Sequence, residues 1–390
     1  MTEQLRLGYV PLIDAAPLLI AQRMGFAREE GLSLDLMPAP GWAALRDMLA
    51  LGQIEAAHML SAMPIAMALG LGGGAARFEA LSVLNANGDV IGVSNRLAAR
   101  MRDAHYTFDF TDARAAGLAM LAASQDSLRI GIPFPFSMHA ELVHYWLEGL
   151  GVPLPKLLDI VTIPPARMAE ALADDAIDAF CVGEPHGSAT VEQAVGALLL
   201  PGVAIWAFSP EKVLAARAGW AEEAPETAGR LMRSIWRSGR WLGQPKNRMM
   251  ASEILAGAGL GRSAEAIERI LNGRLTINSE GDERQVPGFV EFHAGAATFP
   301  WRSQAAWIGQ RLAKRFGLDV AQSIATARGV FRSDLHRLHL APTGADLPGA
   351  SEKLEGSLSA PTPVSSARGR LILPSDCFFD AQIFDPSAQQ

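Results

Sequence analysis

Apolar and polar positions along this chain follow two periods that take turns. Leu5-Arg6-Leu7-Gly8-Tyr9-Val10 reads as a strand, and Ala15 to Met24 then carries apolar residues at helical spacing. Gly25-Phe26 ends that helix, Gly31 makes a turn, and Leu32-Ser33-Leu34-Asp35-Leu36 alternates as a strand does. Trp42 to Leu51 reads as a helix, and Ile54 to Leu60 as the next strand. The unit recurs: strand Leu128–Pro133, a helix through Leu142–Leu147, strand Ile160–Ile163, helix Ala166–Ala173 and strand Ile177–Val182. Gly52-Gln53-Ile54-Glu55-Ala56-Ala57 parallels Asp175-Ala176-Ile177-Asp178-Ala179-Phe180, an acidic residue leading into a buried strand both times. Strands alternating with helices predict mainly parallel sheets, whose ligands bind at the carboxyl ends of the strands. Two α/β lobes of one design follow, although a duplication of Rossmann-like modules has the same pattern.

From Pro210 to about Arg337 the pattern is mostly helical, with Pro225–Leu242, Arg248–Ala256 and Ser303–Gly317 the strongest segments. Residues 343–370 are rich in Pro, Gly, Ser and Ala and have little periodicity, which predicts a segment that hugs the surface or is disordered. Leu371 to Pro386 regains apolar and aromatic character and should dock back.

Composition adds exclusions. A chain of 390 residues with 49% apolar and 19% charged residues has a globular core. Its net charge of -7 argues against direct nucleic-acid binding. Cys181 and Cys377 are the two cysteines, read as free thiols. A membrane-spanning helix needs an uninterrupted apolar run of about 18 residues. Ile54–Leu71 comes nearest but contains Glu55, His58 and Pro64, and reads as a buried strand followed by a short helix. Met1-Thr2-Glu3-Gln4 has neither the basic nor the apolar part of a signal peptide. With Met1 as the native start, the expected location is the cytoplasm.

The sequence carries no GxSxG, HExxH, Walker A or CxxC motif, so the expectation is a binding protein with no cofactor and no metal, not an enzyme. Gly70-Leu71-Gly72-Gly73-Gly74 follows a helix instead of opening one and reads as a plain loop. His336 and His339 have metal-ligand spacing but no evident third ligand, and read as a solvated pair. More informative is a scattered set at strand ends and helix starts. Trp42 opens a helix after Pro40-Gly41, and Asn87-Gly88-Asp89 separates two apolar segments. His139 opens a helix after Ser137, and Pro164-Pro165 opens another. Val182-Gly183-Glu184-Pro185-His186 follows a strand, and Lys212 stands in Ser209-Pro210-Glu211-Lys212 near a return crossover. Helix N-termini with His, Lys and indole donors suit a small oxyanion.

These segments resemble the nitrate- and bicarbonate-binding family of solute-binding proteins. The matching stretches are Leu7-Gly8-Tyr9-Val10-Pro11-Leu12 with Asp14-Ala15-Ala16-Pro17-Leu18, Trp42-Ala43-Ala44-Leu45-Arg46-Asp47, and Ala56-Ala57-His58-Met59-Leu60 with Met63-Pro64. Asn87-Gly88, Val182-Gly183-Glu184-Pro185, Phe378-Phe379-Asp380 and Phe384-Asp385-Pro386 continue the match over nearly the whole chain. The resemblance implies a two-lobed, type II periplasmic-binding-protein-like α/β fold with the anion in the cleft. One lobe would comprise residues 1–97 plus 206–390, and the other 98–205. It implies Trp42, His139, Pro165, Val182 and Lys212 as anion contacts, with Asp89 and Gly183 as further candidates. Asp89 departs from the family, whose transporter members tend to carry an amide there, and a carboxylate facing nitrate repels it unless paired or protonated. His186 stands where an aromatic residue would be expected.

Without a leader, the chain most resembles the cytoplasmic nitrate/nitrite sensor branch. Its members hold an antiterminator-type RNA-binding protein and release it when nitrate or nitrite binds. The alternatives are the solute-binding component of a nitrate, nitrite or bicarbonate ABC transporter and, more remotely, a thiamine-pyrimidine synthase-like enzyme. That enzyme needs a clustered His/Cys site, for which Cys181 and His186 are the nearby candidates.

Overall fold

The computed structural model describes residues 2–124, 127–154 and 157–388. Among the described residues ten strands of five or more residues make up most of the two main sheets: β1 Glu3–Tyr9, β2 Leu32–Pro38, β3 Ala56–Leu60, β4 Phe78–Asn87, β5 Asp89–Ser94, β6 Ser127–Ile132, β7 Leu157–Thr162, β8 Ala179–Gly183, β9 Gly196–Pro201 and β10 Pro210–Arg217. The first sheet runs β4-β10-β3-β1-β2, with the short strand Val290–Glu291 beyond β4. The second runs β7-β6-β8-β5-β9. This is the mixed α/β, periplasmic-binding-protein-like architecture, two lobes of one design.

The central strands β3 and β8 are buried along their whole length. They therefore read as continuous apolar runs, as strands covered on both faces do. In β1, Leu5, Leu7 and Tyr9 are buried while Gln4 and Arg6 face out. Helix Trp42–Ala50 packs so closely on β1 that a Cβ at Gly8 would stand 2.5 Å from Leu45 Cδ1 and Ile54 Cδ1. A side chain there would oblige Leu45 and Ile54 to move.

The sheets are mixed, not mainly parallel. β1 pairs parallel with β2 and β3, and β6 with β7 and β8. β10 is antiparallel to β3 and β4, and β5 to β8 and β9. The antiparallel members are the strands that arrive from the other lobe. β5 follows β4 directly through Gly88, which adopts φ 111°. Residues 89–94 thus belong to the second sheet, and the first crossing comes at Gly88 instead of after residue 97. The sequence pattern marks a break at Asn87-Gly88-Asp89 but not that the chain changes sheets there, because the strands on either side are both buried and mostly apolar. On the return, Pro210–Arg217 is a strand at the centre of the first sheet, where the sequence pattern predicted the start of a helical region. Its Val213, Leu214, Ala215 and Ala216 are all buried, so burial on both faces erases the alternation that marks a strand.

Asn87 knits the two crossings together. Its backbone takes φ 58°, a left-handed conformation that asparagine tolerates better than most residues. Its Nδ2 donates to the Ala207 and Gly288 carbonyls, and its Oδ1 accepts from Ser209 N, all at 3.0 Å.

The C-terminal part returns to tie the lobes. Helix Pro225–Leu242 packs on helix Ala16–Arg23, and helix Arg302–Phe316 reaches the second lobe's helix Met138–Gly149 through Arg315–Glu141 and Arg311–Glu148 pairs. Hairpin Arg274–Thr276/Glu283–Gln285 reaches the second lobe as well, where Leu198 N donates to the Ile277 carbonyl. Residues 343–370 have little regular structure, as predicted, but they are pinned. Buried Glu355 accepts from Ser303 Oγ and pairs with Lys353, which also meets Asp376. Phe378 then stacks in a cluster with Trp206 and Trp307, its ring 4.8 Å from Trp206. Tyr145 Oη donates to Asp380 at 2.7 Å. Among the described residues no helix is long and apolar enough to cross a membrane.

His336 and His339 are not a solvated pair. His336 is fully buried against the Leu81 carbonyl and Ser82 Oγ, and His339 is nearly so. Burial pushes His336 down to about 3, so it is neutral. His336 fills the interface between β4 and helix Ser333–Leu340, while His339 packs against Gly229 of helix Pro225–Leu242.

Candidate functional site

The parallel strands of both sheets end at the cleft, and so do the starts of the two antiparallel crossing strands. Asp14 sits in the turn Ile13–Ala15 after β1, Trp42 starts the helix after β2, and His58 lies within β3. His139 lies in the first turn of helix Met138–Gly149 after β6, where Ser137 caps the helix by accepting from Ala140 N. Gly183 ends β8, Asp89 begins β5, and Glu211 and Lys212 begin β10. The two crossings therefore deliver three charged groups to one place, and each is at most 1% exposed.

Lys212 is the centre of the cluster. Its Nζ lies 2.8 Å from Asp14 Oδ2 and 2.6 Å from Glu211 Oε1, and 5.5 Å from the Trp42 ring centroid. Asp14 Oδ1 is 2.9 Å from His58 Nε2, whose ring stands beside Trp42 at 5.6 Å. Across the cleft, His139 Nε2 is 2.9 Å from Asp89 Oδ1 and its Nδ1 is 3.4 Å from Glu211 Oε1. These two histidine contacts are close without hydrogen-bond alignment, so both nitrogens and both Asp89 oxygens are buried without a partner. Trp42 Nε1 and Glu211 Oε2 share that condition. Buried polar atoms are normally paired, and a group of orphans facing one another marks a place where something else binds.

Burial raises every carboxylate pKa here and lowers the histidines', and the neighbours then sort them. Burial works against Asp14 ionising, but Lys212 and His58 outweigh it and hold the carboxyl well below its usual range. Burial likewise opposes the charge of Lys212, and Asp14 first of all keeps it cationic, with Glu211 and Asp89 adding to this when ionised. Burial and then the neighbouring Asp89 push Glu211 up to about 8. Asp89 is raised by burial, with Lys212 opposing. Burial takes His139 down to about 4, and His58 is lowered too. At neutral pH Asp14 and Lys212 cancel, both histidines are neutral and Glu211 holds a proton.

Gly183 opens the middle of this group. A Cβ added to it would lie 3.6 Å from Asp14 Oδ2, 3.7 Å from His139 Nε2 and 3.9 Å from Asp89 Oδ1. Val182, one residue earlier in β8, is fully buried and its side chain points to the opposite face of the sheet. Pro165 is buried in the turn Pro165–Arg167 after β7, on the same edge of the sheet but with β6 between β7 and β8. The structure thus brings together Trp42, His139, Lys212, Asp89 and Gly183, and adds Asp14, His58 and Glu211, which the sequence reading did not assign. Their signal was a polar residue inside or beside an otherwise apolar strand.

Asp89, His139 and Glu211 each offer a ligand atom within 4.8 Å of the others, a spacing that would suit a metal ion. Lys212 already places a positive charge on Glu211, which works against a second cation there. The thiol of Cys181 lies on the same face of β8 as Gly183; burial, then Asp89 and Glu211, raise it well above its ordinary value, so it is not a thiolate. His186 is lowered to about 4 by burial. Cys181 thus lacks the activated thiolate that the enzyme alternative would use.

Comparison with known proteins gives a consistent picture. The model of the NMT1-like family matches residues 1–256. The nitrate import ATP-binding protein NrtC of Synechococcus elongatus is 33% identical over 351 residues, which is 88% of this chain and 50% of that protein. The chain thus spans about half the length of that relative. The bicarbonate-binding protein CmpA of a Synechococcus species is 26% identical, across 99% of this chain and 85% of its own length. Among solved structures, the periplasmic nitrate-binding protein NrtA from Synechocystis PCC 6803 superposes with a TM-score of 0.83 at 25% identity, covering 100% of this chain and 97% of that one.

Proposed function

Because the chain belongs to the NMT1-like family, we propose that it is a binding protein for a small oxyanion of the nitrate and hydrogencarbonate class, held between the lobes against Lys212. The observation that carries this reading is a fully buried ammonium group beside an unpartnered indole N–H. Lys212 and Trp42 belong to the first lobe, while Gly183 and His139 face them from the second. An anion between them would bind both lobes and favour the closed form. The relatives named for nitrate import and for bicarbonate binding support the same ligand class.

Those names also favour work alongside an ABC importer over the sensor expected from the sequence. The two roles differ in partner, not in site. A sensor must have a partner that distinguishes open from closed, and by linkage the anion and the partner weaken each other by the same factor. The test is calorimetric titration with nitrate, nitrite, hydrogencarbonate and chloride, followed by co-purification with an antiterminator-type RNA-binding protein. Binding of one or more oxyanions but not chloride is expected. Absence of all binding would defeat the reading. A complex with the antiterminator that dissolves on adding the anion would move the role from import to sensing.

Gly183 gives a separate check. Gly183→Val would place two methyl groups in the space between Asp14, His139 and Asp89, and the affinity for the bound oxyanion should fall about tenfold or more. Gly183→Ala adds a single atom at ordinary contact distance, so its melting temperature should stay near that of the parent. Undiminished affinity in Gly183→Val would place the anion elsewhere.

A further inference from the structure

An oxyanion site is expected to offer donors, yet this one holds three carboxylates. Asp14 is accounted for by Lys212 and His58. Asp89 and Glu211 are not. Both Asp89 oxygens and Glu211 Oε2 are buried without a hydrogen-bond partner. A proton on Glu211 can serve at most one Asp89 oxygen, and His139 Nε2, 2.9 Å from Asp89 Oδ1, is not aligned to donate to it, so one acceptor stays unmet. A buried acceptor without a donor costs about 1–3 kcal/mol, more when charged. Nitrate and nitrite consist of acceptors only. Either would satisfy Lys212 Nζ and Trp42 Nε1 while setting an oxygen against the Asp89 carboxylate.

Resting on the oxyanion reading above, the geometry points to Asp89, supported by Glu211, as the specificity-determining group of this site, selecting an oxyanion that carries its own hydroxyl hydrogen. Hydrogencarbonate is the anion of that kind with the size and planar shape of nitrate. Its O–H donates to the unmet Asp89 oxygen. Its two other oxygens accept from Lys212 Nζ and Trp42 Nε1. No proton changes owner, and the orphaned Trp42 Nε1 and one orphaned Asp89 oxygen each gain a partner. A site built to bond a ligand hydroxyl rejects the analogue lacking it strongly, because the site's own polar group is then left unpaired.

The experiment is calorimetric titration of the full chain with sodium hydrogencarbonate, nitrate and nitrite at pH 8, with and without a metal chelator, for the parent and for Asp89→Asn. The parent should bind hydrogencarbonate at least tenfold more tightly than nitrate or nitrite, with no effect of chelator. Asp89→Asn, nearly identical in shape, replaces an acceptor by a donor and should shift that ratio at least tenfold toward nitrate. Equal or tighter binding of nitrate by the parent would overturn the inference without reference to any variant. So would an unchanged ratio in Asp89→Asn, or hydrogencarbonate binding that chelator abolishes, since a metal ion would then be filling the acceptors. Failure of parent and variant to bind any of the three anions would defeat the oxyanion reading itself.

Discussion

Replacing Lys212 with alanine is expected to cost about 3–5 kcal/mol of stability and to weaken oxyanion binding by roughly 10-fold to 150-fold. The stability loss comes from what the lysine leaves behind. Asp14 depends on Lys212 and His58 for its charged state, and His58 is itself a neutral imidazole in this setting. Without the ammonium group Asp14 must either stay charged in a buried site or take up a proton at neutral pH. The binding loss comes from removing a charged donor, and such hydrogen bonds are worth about 1.5–3 kcal/mol. The effects separate in the double variant Asp14→Asn, Lys212→Met. Replacing a buried ion pair by uncharged groups of similar volume is often close to neutral, so urea denaturation should show most of the stability restored. Anion binding should remain lost. If Lys212→Ala keeps both its denaturation midpoint and its affinity, the buried pair is not the organising feature of the site.

Nitrate affinity is expected to fall by about tenfold per pH unit above pH 8, and to be higher on the acid side. The group responsible is Glu211, pushed up to about 8 by burial and by Asp89. The sign follows from linkage. An anion next to Glu211 favours the protonated carboxyl, so binding takes up a proton once the pH exceeds the carboxyl's pKa, and affinity then drops as pH rises. Asp89, also raised, adds to the gain at lower pH in the same direction. Asp14 and Lys212 hold their charges near neutrality, and Cys181 stays a thiol there. His139 does not contribute near neutrality, because burial lowers it to about 4. A free imidazole titrates close to pH 6.5, so it is burial that takes His139 out of the neutral range. Titration with nitrate from pH 6 to 9.5 decides the matter. A flat profile would mean that Glu211 does not face the anion, and a profile rising toward alkaline pH would reverse the assigned charge states.

Much of the fold is legible in the chain because local periodicity and local breaks report it directly. Helix Pro225–Leu242 has the predicted bounds, since its apolar stripe recurs at helical spacing and Pro225 marks its start. Strands β1 and β2 and the helix between them are legible for the same reason. Position at a strand end, helix start or crossover made Trp42, His139, Lys212, Asp89 and Gly183 candidates, alongside Pro165 and Val182, and the family resemblance is what implied them as anion contacts. The lobe boundary at Gly88 and the strand Pro210–Arg217 could not be read in this way. Strands buried on both faces lose alternation, and nothing local records which sheet a strand joins. The roles of Asp14, His58 and Glu211, the neutrality of His139 and the burial of Lys212 were likewise decided by tertiary structure. Each depends on residues distant in the chain that share one dry space, where burial sets protonation and partner geometry sets charge.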